Sequence, residues 1–166
     1  MTNAILLTIS TAMILVSAPA GAAEASAGLV GTWQITNYSV QFLDTNESVR
    51  TMGEHPTGYI QYSPGGHMVV FLAAEHRQPP ADVAPTDAEA ARLYRTIFGA
   101  YAGTYHVEGN KVVHHIVTAW APQRNGDDQV RYFEIAGRSL TIKTAPLKDV
   151  TTGRPAVPTL VFERIE

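Results

Sequence analysis

The sequence consists mainly of short segments that are typical of β-strands. Turn residues separate these segments at close intervals. Thr, Ile, Tyr and Val are frequent in residues 29–42, 58–62, 67–73, 100–108, 111–120, 129–135, 139–144 and 159–165. The turns between the later segments contain Gly-Asn, Asn-Gly or Ala-Gly pairs. Asn-Gly is the strongest short signal for a β-hairpin, because both central residues need a positive φ. These eight segments predict an antiparallel barrel or sandwich.

A single predicted helix interrupts the strands, between the third and the fourth. Thr86 and Glu89 have the spacing of a capping box, in which each side chain accepts a hydrogen bond from a backbone N–H at the helix start. Gly99 is the expected helix end. The apolar residues at helical spacing are Ala90, Leu93, Tyr94, Ile97 and Phe98. We interpret this face as core packed over one end of the barrel, or alternatively as a lid with Tyr94 near the entrance.

The first 27 residues have the composition of an export signal. Apolar stretches precede Ala18-Pro19-Ala20 and Ala25-Ser26-Ala27, which both match the small-x-small cleavage pattern. No Lys or Arg precedes the apolar stretch, which is short and interrupted for a membrane span. The sequence predicts a signal peptide over residues 1–27, a barrel domain over 28–166, and a periplasmic or secreted protein. The alternative is an uncleaved membrane anchor.

Composition and motifs exclude several classes of protein. The formal net charge is -3 and 16% of the residues are charged, so no basic surface indicates a nucleic-acid partner. The chain has no cysteine, so its stability must come from burial of a core and from sheet closure. No nucleophile elbow, phosphate loop or dinucleotide fingerprint is present. No cofactor is therefore expected, and the oligomeric state is left open.

The tight turns predict which side chains face the barrel interior. Two-residue loops at Gly109-Asn110, Asn125-Gly126 and Ala136-Gly137 would place Tyr105 opposite His114, Trp120 opposite Arg131, and Phe133 opposite Leu140. The predicted inner face comprises Tyr101, Tyr105, Val107, Val112, His114, Ile116, Thr118, Trp120, Arg131, Phe133, Ile135, Leu140 and Ile142. The predicted outer face comprises Thr104, His106, His115, Val130, Tyr132, Glu134, Ser139, Thr141 and Lys143. A one-residue bulge would reverse part of this assignment.

The histidines do not have the spacing of a metal site. His114 and His115 are adjacent on a predicted strand, so their side chains point to opposite faces and cannot bind one ion together. The other histidines show no ligand spacing, and thiolates are absent. No metal is expected.

Several motifs resemble those of a known family. Gly31-Thr32-Trp33 with the late Arg164 resembles the lipocalin pattern, in which the Trp packs at the closed end of a calycin-type barrel with an Arg across it. More narrowly, the chain is similar to the bacterial and fungal lipocalin-like domain proteins. The stretches that carry the resemblance are Leu29–Trp33, Gly58–Tyr62, Gly103–Tyr105, Val113–His115 and Asp128–Arg131. The resemblance implies an all-β, up-and-down barrel with a structural role for Trp33 and Arg164.

The preferred functional hypothesis is an exported protein that binds a small, mainly apolar or amphipathic molecule inside the barrel. The candidate ligand-binding residues are Tyr101, Tyr105, His114, Thr118, Trp120, Arg131 and Phe133. One alternative is a cofactor-independent isomerase, cyclase or hydratase, with His114 as base and Arg131 or a Tyr stabilising an oxyanion. Another is a barrel filled by its own side chains that acts through its surface.

Two of these polar residues also have purely structural interpretations. Tyr105 across the strand pair could satisfy the hydrogen bonds of His114, since buried polar groups usually have protein partners. Arg131 could stack on Trp120 or pair with a carboxylate. The sequence leaves these alternatives open.

Overall fold

The computed structural model of the protein describes residues 27–149 and 152–166. The predicted signal peptide, except for its last residue, lies outside the described residues. In chain order the elements are β1 (Gly31–Phe42), β2 (Ser48–Val49), β3 (Thr57–Tyr62), β4 (His67–Ala73), α1 (Asp87–Arg95), β5 (Ile97–Glu108), β6 (Lys111–Ala119), a 3-10 turn (Pro122–Arg124), β7 (Asp128–Ala136), β8 (Ser139–Thr144), β9 (Leu147–Lys148) and β10 (Pro155–Arg164).

The strands form one antiparallel sheet that closes on itself. Their order is β2-β1-β3-β4-β5-β6-β7-β8-β10-β9, and β1 also pairs with β10. This last pairing aligns Trp33 with Arg164 and Phe42 with Ala156. The eight long strands therefore form a closed barrel, in which the first and the last of them, β1 and β10, are hydrogen-bonded to each other. The prediction of an all-β, up-and-down, lipocalin-like barrel with a helix between the third and fourth long strands is confirmed.

One end of the barrel is packed by its own side chains. Trp33 is fully buried, and its Nε1 donates a hydrogen bond to the Leu29 carbonyl oxygen at 2.9 Å. The Arg164 guanidinium lies over the indole ring at 4.1 Å and donates to the Val30 carbonyl oxygen at 2.7 Å. Trp33 belongs to a continuous buried core that extends from this end along the barrel and comprises Leu29, Trp33, Ile35, Ile60, Tyr62, Met68, Val70, Leu72, Tyr105, Val112, Leu140, Ile142 and Phe162.

Helix α1 begins where the sequence predicts and ends earlier. The capping box between Thr86 and Glu89 is present. Thr96 is the C-cap, so the expected end at Gly99 is wrong. Ile97 and Phe98 already belong to β5, where the backbone bonds to β4 outweigh the helical spacing of the side chains. Every residue of α1 is at least partly exposed, so the interpretation of its apolar face as core is also wrong.

The strand faces agree with the sequence even where a predicted register does not. The register of β5 and β6 is confirmed, with Tyr105 opposite His114. Arg131 lies opposite Val112 rather than Trp120, because a 3-10 turn follows β6 and Asn125-Gly126 does not form a two-residue loop. The shift covers an even number of positions, so Arg131 still faces inward. A one-residue shift would have reversed its direction.

The hairpin between β7 and β8 shows the same behaviour. Ala136 pairs with Ser139, so the two loop residues are Gly137 and Arg138, one position later than predicted. Phe133 consequently lies opposite Ile142 rather than Leu140. The observed register differs from the predicted one by two positions on one strand, which is again an even number. The predicted inner and outer faces of β7 and β8 are therefore unchanged.

A bulge in β6 overturns part of the predicted inner face. Gly103 lies opposite Ile116 and Ala102 opposite Thr118, so Val117 is an extra residue in β6. The strands are so close here that a Cβ on Gly103 would lie 1.9 Å from the His115 carbonyl oxygen. At Thr118 and Ala119, the last two residues of β6, the faces are exchanged. The predicted inward placement of Thr118 is therefore wrong, and Ala119 faces inward in its place.

Candidate functional site

The end of the barrel opposite Trp33 contains a cavity of about 720 Å³. This volume lies within the range of about 300–1,000 Å³ that small-molecule sites occupy. The apolar side chains on its wall are Tyr38, Phe42, Met52, Ile60, Val70, Leu72, Ile97, Phe98, Ile142, Leu147, Leu160 and Phe162. At the mouth, Tyr94 of α1 stacks on Trp120 with ring centres 3.8 Å apart, and both rings are partly exposed. The interior is open, which contradicts the hypothesis of a filled barrel.

A buried histidine lies between two tyrosines on the inner wall of the cavity. The Nε2 atom of His114 is 2.8 Å from the Tyr62 hydroxyl, and its Nδ1 atom is 2.9 Å from the Tyr101 hydroxyl. Only 1% of the His114 side chain is exposed. Together with Arg131, these three residues are called the polar cluster below. His114, Tyr101 and Arg131 line the cavity, whereas Tyr62 lies behind His114 in the packed core.

Burial determines the charge state of His114. Loss of hydration, and secondarily the nearby positive charge of Arg131, lower the pKa of His114 from 6.5 to about 3. The imidazole is therefore neutral at physiological pH, and both of its nitrogens are already engaged by hydroxyl groups. A ring in this state has no free lone pair with which to accept a substrate proton. The geometry therefore gives little support to His114 as a general base.

Burial also keeps the tyrosines of the polar cluster protonated. Loss of hydration raises the pKa of Tyr62 well above its usual value, and it raises the pKa of Tyr101 as well. Arg131 opposes the shift at Tyr101 through its charge and a side-chain hydrogen bond. Both phenols therefore remain available as hydrogen-bond donors.

Arg131 is positioned by polar groups of its own strand. Its guanidinium donates hydrogen bonds to the Gln129 side-chain oxygen and to the Val130 carbonyl oxygen. Within residues 27–149 and 152–166 it forms no salt bridge with a carboxylate. Trp120 stacks on Tyr94 instead, so neither structural alternative considered for Arg131 is present among the described residues.

The structure separates the seven predicted ligand-binding residues into two groups. Tyr101, His114, Trp120 and Arg131 line the cavity. The others do not line it: Thr118 points outward, and Tyr105 and Phe133 pack in the closed half of the barrel. Tyr105 does not hydrogen-bond to His114 as one interpretation proposed, because its hydroxyl donates to the Ser63 carbonyl oxygen at 2.9 Å.

Sequence reasoning missed Tyr62 and Thr144. Tyr62 ends β3, and the alternation of side chains along that strand could have shown that it shares an inward face with Ile60. Thr144 lies opposite Arg131, on the cavity wall. Its hydroxyl oxygen is buried and has no hydrogen-bond partner among the described residues. A lone threonine at a strand end carries no sequence signal that distinguishes it from a surface residue.

Other features of the described chain bear on the class of site. His115 is exposed, and its Nδ1 lies 2.8 Å from Asp128 on the outer face. Residues 27–149 and 152–166 contain no group of three His, Asp or Glu side chains arranged to hold a metal ion. In the same residues, no helix is both long and apolar enough to cross a membrane.

Comparison with known proteins identifies the family. The solved structure of the REP1-NXSQ fatty acid transporter is similar to this chain at 13% identity and a TM-score of 0.39, over 84% of this chain and 98% of that one. At that distance the likeness carries no functional argument. No curated protein matches the sequence. A family model for the lipocalin-like domain matches residues 30–165, and the chain therefore belongs to the lipocalin-like domain family.

Proposed function

We propose that this protein binds a small, mainly apolar molecule inside its barrel. The observation that carries the proposal is the cavity of about 720 Å³, whose wall is mainly apolar and includes the polar groups of Tyr101, His114 and Arg131. Apolar surface that a ligand buries there contributes about 25 cal/mol per Å². The lipocalin-like barrel supports binding of apolar ligands in general.

A matched pair of variants tests whether the cavity is the binding site. The probe is N-phenyl-1-naphthylamine, a neutral molecule that fluoresces in apolar surroundings. Ala119 faces the cavity, whereas the preceding Thr118 faces out. The Ala119→Trp substitution is expected to weaken probe binding at least about tenfold, because the indole would occupy the ligand volume.

The Thr118→Trp substitution is the control. It adds the same side chain one residue away on the outer face and is expected to leave the probe affinity unchanged. Fluorescence titration gives both affinities, and circular dichroism checks that both variants fold. Equal affinity in folded Ala119→Trp and wild type would contradict the proposed site.

We also propose that the protein is exported and that residues 1–27 are removed. The support is the apolar leader followed by two small-x-small cleavage patterns. The intact mass of the protein from the envelope fraction is expected to correspond to a chain that begins near Gly28. A full-length mass, together with membrane association, would contradict the proposal.

A further inference from the structure

The hydrogen bonds of the polar cluster can be oriented from its buried end. Tyr62 is 1% exposed, and His114 Nε2 is the hydrogen-bond partner of its hydroxyl in the described part of the chain. A buried hydroxyl proton without an acceptor is costly. The Tyr62 hydroxyl therefore donates to Nε2, which accepts as the unprotonated nitrogen of the ring.

This orientation determines the roles of the other groups. A neutral imidazole has one donor and one acceptor nitrogen, so Nδ1 carries the proton. At 2.9 Å, that N–H donates to the Tyr101 hydroxyl oxygen. Arg131, whose positive charge acts on Tyr101, can only donate hydrogen bonds and cannot accept the Tyr101 proton. The Tyr101 oxygen thus accepts from His114, and because neither His114 Nδ1 nor Arg131 can accept its proton, that proton is left to point into the cavity.

The charges on the cavity wall favour a negative ligand. Arg95, Arg124 and Arg131 line the cavity together with Asp149, although the whole chain has a net charge of -3. Arg131 is partly buried, whereas Arg95 and Arg124 are exposed. Three cationic groups against one carboxylate make the lining of the cavity net positive. The buried Thr144 hydroxyl opposite Arg131 is a further polar group available to a ligand oxygen.

We propose that the ligand is an amphipathic acid whose anionic oxygens accept hydrogen bonds from the Tyr101 hydroxyl and the Arg131 guanidinium. Its apolar body would extend towards Tyr94 and Trp120 at the mouth. This inference rests on the proposed function and adds the chemical class of the ligand. A planar guanidinium beside a phenol donor suits a carboxylate or sulfonate, because each can accept several hydrogen bonds.

Two probes that share an aromatic frame test the inference. N-phenyl-1-naphthylamine is neutral, and 8-anilinonaphthalene-1-sulfonate adds a sulfonate to the same frame. The wild type is expected to bind the sulfonate at least about tenfold more tightly than the neutral probe. The Arg131→Gln substitution is expected to abolish this preference, and Tyr101→Phe to reduce it several-fold. The neutral probe is titrated against each variant as well, so that the preference is measured as the ratio of the two affinities within one protein.

Residues on the outside of the barrel supply matched controls. Arg138 is exposed in the β7–β8 turn, and Tyr132 is on the outer face of β7. The substitutions Arg138→Gln and Tyr132→Phe are expected to leave both affinities unchanged. Circular dichroism checks folding, and Tyr101→Phe keeps the test decisive if Arg131→Gln does not fold.

The outcomes separate this inference from the proposed function. Equal affinity of the wild type for the two probes, or tighter binding of the neutral one, would overturn the inference and leave the proposed function standing. Equal loss of sulfonate binding in Arg131→Gln and Arg138→Gln would also overturn it. Failure of the wild type to bind either probe would instead contradict the proposed function.

Discussion

Replacement of Trp33 with alanine is expected to lower the free energy of unfolding by about 3–5 kcal/mol, as for other large buried aromatic side chains. Trp33 is completely buried among Leu29, Phe162 and the rest of the core. The substitution would leave a cavity, remove the hydrogen bond to the Leu29 carbonyl oxygen and deprive Arg164 of its aromatic partner. Chemical denaturation followed by circular dichroism measures the loss.

Two further substitutions show which interaction is responsible. Trp33→Phe keeps a ring beneath Arg164 but removes the indole N–H, so it is expected to cost about 1–3 kcal/mol from the unpaired Leu29 carbonyl. Trp120→Ala removes the same type of side chain from a site that is 36% exposed. It is expected to destabilise the protein less than Trp33→Ala. A loss below about 1 kcal/mol in Trp33→Ala would show that Trp33 does not hold the closed end together.

The sequence predicts those features of the fold that depend on residues close together in the chain. Turn residues and alternating side chains predict the eight long strands and the direction of almost every inner residue. The register of a hairpin depends on the turn that forms between its strands. A 3-10 turn at Pro122–Arg124 precedes Asn125-Gly126, and the sequence pattern does not predict it. The faces were still correct because both register errors covered an even number of positions.

Tertiary contacts explain the remaining differences. The bulge at Val117 moves Thr118 out of the interior, and it lies beside Gly103, where β5 and β6 approach too closely for a side chain. Ile97 and Phe98 have helical spacing, yet they belong to β5 because the backbone of β4 pairs with this segment. One partner of His114, Tyr62, comes from β3 across the interior, whereas the other, Tyr101, lies on the adjacent β5. A two-strand register cannot predict contacts between strands that are not adjacent.

The buried neutral state of His114 predicts a pH-dependent stability. The pKa of His114 is about 3 in the folded protein, against 6.5 for an unperturbed histidine. Below pH 6.5 the unfolded chain therefore binds a proton that the folded chain does not. The free energy of unfolding is expected to be constant above that pH and to decrease as the pH falls towards 3. Between pH 7 and pH 5 the expected loss is about 2 kcal/mol.

The neighbouring histidine provides the control for this prediction. His114→Gln removes the buried titrating group, so its stability is expected to be lower at pH 7 and nearly independent of pH between 7 and 5. His115→Gln changes an exposed ring on the outer face and is expected to keep the wild-type pH dependence. Urea denaturation at several pH values measures each slope, and the range above pH 5 avoids most carboxylate titration. The same slope in His114→Gln and wild type would show that another group causes the pH dependence. The buried His114 ring would then not account for the loss of unfolding free energy at low pH.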